Sequence, residues 1–579
     1  MGTDRADQSS AVSRMRTTEP AHRLAQMGER YFTAKHRYDP FNATLLGLTE
    51  FDGLTGDPSA DSSAGAASVF ASLAAEAAEL DDAALTDDQR IDKQVLRALL
   101  RGAEDDARHS LWAANASSAG YGSRQGTLFQ AAAAVSIADA DGAERYLTRL
   151  GELGDYLGAL GDRYRHEATA GRVPTAVGVL NAVRQLRSEL NATAETSALL
   201  RAVAGPNAGA GTAWRERAEQ IVADTVAPGM ASLAEVLERE LLPVARDDEH
   251  VGIRTIPGGE EGYAAALRQH TTTDLTAEDI HQLGLRALTE LDEQWAQVGA
   301  RALGETDRRA IADRLRGDPA LRFETTGQIV DAARGALERA EAALPRYFPA
   351  DKPIGSCEIV ELSAEESANS AMAYYRPPAV DGSRGGAQCI ATADPTSRHR
   401  YEYEALSFHE SVPGHHLQLA TSQLLDIPCY RRHLDVEVCG FNEGWGLYTE
   451  QLADELGLYS SEVARLGMLS FSALRACRLV VDTGMHQLGW SRAAAIEFMW
   501  SHTATTREHI EHEVDRYISW PGQACAYMVG KREILRMRAR AQAALGSRFD
   551  LPGFHWAVIG NGAVPLSVAD EATRRWQER

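Results

Sequence analysis

Apolar residues recur every three or four positions over most of the chain, the period of one buried helix face. HRLAQMGERYF and ATLLGL, between Ala21 and Leu48, carry this period on either side of YDPFN and predict two helices joined at Pro40. Residues 53–68 are rich in Gly, Asp, Ser and Ala and read as a loop or mobile connection. From Val69 to about Leu242 the period returns in VFASLAAEAAELDDAAL and YLTRLGELGDYLGALGDRYRHEA, so helices stack on helices, with GPNAGAGTA as an interhelical loop. A further helical stretch starts near Thr276 with DIHQLGLRALTELDEQWAQVGARAL and resumes after RGDPALRF as ALERAEAALPRYF.

Between Ile354 and Thr392 the pattern changes. SCEIVEL, MAYYRPP and GAQCIAT are short, mix β-branched with aromatic residues, and are bounded by Pro, Gly and Asp-Gly, which predicts a small sheet. Helical spacing resumes at Tyr401 and runs nearly to the end. The expected fold is mainly α, a large multi-helix body with a small sheet (about 354–392) inserted before a chemically distinctive helix. Residues 1–18 are polar and aperiodic and read as a disordered leader. An N-terminal helical region (19–275) and a second region (276–579) are expected to form one continuous body around a cleft.

Composition removes several classes of function. A formal charge of −23 over 579 residues, with no basic tract, repels phosphate backbones and excludes nucleic acid as a partner. No stretch reaches the roughly 18 apolar residues of a membrane span, and the start of the sequence has no signal-peptide core, so a cytoplasmic location and no membrane partner are expected. The six cysteines form no CxxC pair, which argues for buried free thiols over disulfides or a thiolate zinc site.

The chemistry concentrates in FHESVPGHHLQ. Two histidines and a carboxylate at one point make a catalytic zinc site, with the fourth position left for water. In an HExxH helix the histidines lie one turn apart and the adjacent glutamate serves the bound water. Here His409 and Glu410 are followed by Ser411, Val412, Pro413, Gly414, His415 and His416. On an ideal helix His415 would sit about 240° around and about 9 Å along from His409, too far off-face to share an ion. Pro413 denies the His409 carbonyl a helical N–H, and Gly414 tolerates unusual backbone, so a bulge or break can swing His415 back. His416 is the competing ligand, on the face of His409 but about 10.5 Å along the axis.

The third ligand is expected from GFNEGWGLYTEQLADELG, as Glu443, with Gly444 and Gly446 permitting close approach of a second helix or a substrate. Glu450, seven residues on, reads either as a carboxylate supporting a ligand or as a solvated helix residue.

At these residues the chain resembles the bacterial domain-of-unknown-function-885 family, whose pattern is HE, two residues, PGH and a later EGW. YDPFNATLLGL, AYYRPPAVDGSRGG, YISWPGQACAYMVGKREI and FHWAVIGNGAVPL extend the resemblance over most of the chain. That family is similar in turn to the mainly helical gluzincin metallopeptidases. The resemblance implies a zinc-dependent hydrolase with ligands His409, His415 and Glu443 and general base Glu410, acting on a peptide or small amide.

Oxyanion stabilisation would fall to a hydroxyl or imidazole donor. Tyr527 is the first candidate, because Pro521 and Gly522 make a turn that presents its helix to a cleft; His416 and Tyr448 follow. GSRGGAQCIAT would supply an edge strand for an extended peptide, and Arg384, Arg376 and Lys531 are the cations available for a substrate carboxylate. Two other functions fit the same residues: a pathway-specific amide hydrolase in specialised-metabolite biosynthesis, and a non-catalytic helical binding scaffold.

Overall fold

A computed structural model describes residues 19–203, 211–352, 354–362, 372–378 and 384–579. The leader assigned to residues 1–18 lies outside this range, as does most of the GPNAGAGTA connection, after which a helix runs Gly211–Ile221.

The architecture is mainly α with one small sheet. Helices Glu19–Tyr38 and Pro40–Leu45 meet where the Asp39 side chain accepts the Asn42 N–H and Pro40 opens the next turn, which needs no donor there. Of residues 53–68, read as a loop, 53–59 are non-helical, but 60–68 are corrected, because a helix spans Ala60–Ala78. Ser59 caps it by accepting from the Ser62 N–H, and Asp57 holds Ser59 in place. Alanine is the best helix former, and the buried face of Ser63, Ala67 and Phe70 is too weakly apolar at its start to register as a period.

Seven later helices build the site region. They are α1 (Ala277–Leu303), α2 (Tyr403–Glu410), α3 (His415–Leu424), α4 (Cys439–Glu455), α5 (Glu462–His486), α6 (Arg507–Ser519) and α7 (Ala526–Leu545). A capping box between Thr276 and Asp279 opens α1, which packs along α5 with Gly284 against Val480 and Leu479. Every residue of α5 from Leu466 to His486 is buried, so this helix is the axle of the region.

The sheet comprises β1 (Cys357–Glu361), β2 (Ala373–Arg376) and β3 (Gly386–Ile390), in the order β1-β3-β2. β3 runs parallel to β1, with Cys357 opposite Gly386, and antiparallel to β2, with Arg376 opposite Ala387. The expected edge strand is therefore the central one, and a substrate cannot pair along it. Its five residues are all buried, the continuous signature of a strand covered on both faces.

One hydrophobic core joins Tyr31, Phe70 and Leu99 near the start of the chain to Phe408, Trp445 and Phe554 near its end. A second collects Trp295, Phe471, Leu479 and Tyr401 around α1 and α5. Burial of each such large side chain contributes of the order of 2–3 kcal/mol. The N-terminal helices join the first core through the short helix Cys429–Arg432, whose Tyr430 lies against Gly28 and Tyr31. All six cysteines are free.

Candidate metal centre

α2 stops at Glu410, the chain turns through Ser411 to Gly414, and α3 starts at His415. The spacing thus produces a break and not a bulge; the Val412–Pro413 peptide within it is cis. Gly414 makes the return possible, since a Cβ there would lie 1.9 Å from the His409 carbonyl oxygen. Side chains of α4 take over the carbonyls that the break leaves without helical partners. Trp445 Nε1 donates to the Pro413 carbonyl (2.9 Å) and Thr449 Oγ1 to that of Phe408 (3.1 Å).

This turn folds His415 back toward His409, the two rings lying edge to face with centroids 4.7 Å apart. Glu443 of α4 completes the group. One ligand atom each from His409, His415 and Glu443 lies within 4.8 Å of the others. Glu443 Oε2 is 3.3 Å from His409 Nε2 and 3.4 Å from His415 Nε2. Those separations exceed the ~2.7–2.9 Å of a charge-assisted hydrogen bond. They match the roughly 3.4 Å edge of a tetrahedron with ~2.1 Å bonds, the geometry of zinc held by nitrogen and oxygen. The donor set fits a divalent ion.

Behind His409, Glu450 is fully buried and accepts the Nδ1–H at 2.9 Å, which leaves Nε2 as the atom that could hold an ion. The ring is pressed against α4 at Gly446, where a Cβ would sit 2.7–3.0 Å from its atoms. Gly444 lies equally close to Gly530 of α7, so the close helix approach expected from the two glycines is present.

Burial disfavours the charged form of His409, but the neighbouring Glu443 and Glu450 carboxylates outweigh it and raise the ring to about 9. Burial also opposes ionisation of Glu443, and the two histidines outweigh it, holding its carboxyl well below the usual range. Glu410 is buried beside them, and desolvation pushes its carboxyl upward against the pull of His415 and His409. A carboxylate of raised basicity next to an ion site is suited to move protons.

Tyr527, half-buried on α7, lies nearly parallel to the His409 ring at 6.3 Å, and burial raises its hydroxyl so that it stays a donor. Other expected residues are placed differently. His416 is turned to the sheet, with Nε2–H donating to the Gly355 carbonyl (2.8 Å) and Nδ1 accepting from the Tyr375 hydroxyl (3.1 Å). Both nitrogens are thereby occupied, which corrects its candidacy as ligand or catalytic group. Tyr448 is corrected too: it is fully buried, donating to His555 Nε2 (2.7 Å) and accepting from Arg538, and so serves packing, not substrate. Arg376 ends β2, and Arg384 donates to the Pro377 carbonyl (3.3 Å). Lys531 is buried on α7, one turn beyond Tyr527.

Sequence reasoning missed Asp435, just ahead of α4. Burial raises its carboxyl to about 6, Glu437 and Glu443 add to the rise, and His415 opposes it. A cavity of about 140 Å³ opens beside the next residue, Val436; Lys35, Asp105 and Arg124 line it from the N-terminal helices, and His270 and Trp520 from the later ones.

Fold and site together define a mainly helical protein with a candidate His-His-Glu metal centre. The chain belongs to the family of bacterial proteins of unknown function termed DUF885, whose model matches residues 40–572. Among solved structures it is similar to a candidate lipoprotein from Colwellia psychrerythraea, with a TM-score of 0.87, 24% identity, and coverage of 97% of this chain and 100% of that one. It is also similar to a candidate lipoprotein of unknown function from Shewanella oneidensis, with a TM-score of 0.71, 19% identity, and coverage of 95% and 99%. Likeness at these identities is one of fold. No curated protein matches the chain.

Proposed function

We propose that this protein is a zinc-dependent hydrolase of peptide or amide bonds, related in site chemistry to the gluzincin metallopeptidases. One observation carries the reading: donor atoms of His409, His415 and Glu443 gathered within 4.8 Å, Glu443 being 3.3 and 3.4 Å from the two imidazoles, with a buried carboxylate bonded to His409 from behind. When bound, zinc supplies Lewis-acid polarisation of a carbonyl and a more acidic water. Glu410 accepts the proton of the attacking water and passes it to the leaving nitrogen as the C–N bond breaks. Tyr527 keeps its proton and donates to the carbonyl oxygen as negative charge develops there. Glu450 fixes the tautomer of His409.

The test is Glu410→Gln in zinc-loaded protein, assayed on a set of short peptides and amides. Hydrolysis is expected to fall by about 10²–10⁴ with zinc content unchanged. Undiminished turnover in this variant would overturn the assignment of the base. For location the proposal is the cytoplasm; because two structural neighbours are described as candidate lipoproteins, cell fractionation is the check, and recovery with membranes would overturn it.

A further inference from the structure

Beside the His409–His415–Glu443 cluster, α5 and α7 bury three cations whose donors are incompletely used. Arg475, Arg478 and Lys531 are 7%, 6% and 6% exposed. Lys531 makes no hydrogen bond or ion pair among the described residues. Arg475 stacks over the Phe471 ring (4.6 Å) and pairs with Glu450 at 3.9 Å, and its buried Nε has no hydrogen-bond partner among the described residues. Arg478 donates Nε to the Tyr517 hydroxyl (2.8 Å) and Nη2 to Glu513 (2.6 Å), which leaves Nη1 buried without an acceptor. Buried donors almost always find acceptors, so two such atoms, Arg475 Nε and Arg478 Nη1, beside the Lys531 ammonium point to an acceptor from outside the chain.

These cations surround Tyr527. Arg478 Cζ lies 4.2 Å and Arg475 Cζ 6.0 Å from its ring centroid, and Lys531 follows one turn later on α7. The same ring lies 6.3 Å from that of His409. One or two residues of an extended peptide, at about 3.3–3.6 Å each, cover such spans.

Resting on the hydrolase reading, we propose that Arg475, Lys531 and Nη1 of Arg478 form a subsite for a substrate carboxylate, so that the enzyme prefers a free carboxylate within a residue or two of the scissile bond. Lys531 was open to this role from its sequence context; Arg475 and Arg478 lie in a helix whose period gives no such signal. Burial lowers the Lys531 ammonium to about 8, with the Glu450 carboxylate opposing, so it remains charged at neutral pH.

Acetyl-alanyl-alanine and its C-terminal amide, titrated calorimetrically into the Glu410→Gln protein, test the proposal, with zinc content measured on the same sample. The free acid is expected to bind at least tenfold more tightly. Lys531→Met is expected to abolish the preference while leaving zinc content unchanged and the melting temperature unchanged or higher, since it removes a buried charge. Arg475→Gln, as a second variant, is expected to weaken the preference. Equal affinity for acid and amide, no binding of the acid at millimolar concentration, or a preference that survives Lys531→Met would overturn the subsite. A preference seen without stoichiometric zinc would contradict the hydrolase reading and leave the subsite standing, and zinc without the preference would do the reverse.

Discussion

Where the His409 ring sits is decided by Glu450 and Gly446, one binding its Nδ1 and the other giving it room. Glu450→Gln keeps the shape but replaces a charged acceptor with a neutral amide, so zinc affinity is expected to fall about 10–100-fold. Competition with a zinc-binding dye measures this, and unchanged affinity would show that the carboxylate does not support the ligand. Gly446→Ala is expected to cost more, because its methyl would occupy the ring's own space. Loss of bound zinc with retained helicity is the predicted outcome for that variant. Zinc retained at full stoichiometry would mean that the ring has another place to bind from. Sequence alone left Glu450 ambiguous for a physical reason: a glutamate at that heptad position is usually solvated, and only the fold removes its water.

At the scale of elements, the Pro413-Gly414 step was legible because proline and glycine act locally, ending a helix whatever surrounds it. Trp445 and Thr449 were not, since their task is to satisfy carbonyls of a segment more than 30 residues away. The sheet was visible as short β-rich runs, but strand order depends on long-range pairing that no local period encodes, hence the misplaced edge. The first half of Ala60–Ala78, ahead of Val69, was hidden because small residues bury weakly on both sides of the pattern. Another device is the turn before α7, where Asp482 of α5 accepts from the Gly522 N–H (3.1 Å) and the Tyr263 hydroxyl (2.6 Å) and so fixes the helix start that bears Tyr527. Burial raises the Asp482 carboxyl to about 7, with those hydrogen bonds opposing. In the unfolded chain it titrates near ~3.9. Between those values the folded state holds a proton that the unfolded state lacks, so this group's contribution to stability is full at low pH and is lost as pH rises toward 7. The loss is up to about 4 kcal/mol. Asp482→Asn is expected to narrow the difference in melting temperature between pH 5 and pH 8. An unchanged difference would contradict this account of the turn.

For the whole molecule, the shared core means that the site is not a module carried by residues 276–579 alone. Tyr31 and Leu99 pack in the same cluster as Trp445 and Phe554. Arg431, 3% exposed, pairs with Asp92 and donates to the Asn561 carbonyl, tying the two ends of the chain across the short helix before α4. Arg431→Ala leaves Asp92 without its cation and is expected to destabilise the protein by about 3 kcal/mol, read from denaturant melts. A loss below about 0.5 kcal/mol, the size of an ordinary surface change, would show that the tie is dispensable. The central claim is that this architecture, assembled from both ends of the sequence, holds one ion on His409, His415 and Glu443. Metal analysis after equilibrium dialysis against zinc tests it most directly: one zinc per wild-type chain and none in His409→Ala or Glu443→Ala is predicted, whereas a metal-free wild type, or variants that keep a full equivalent, would contradict it.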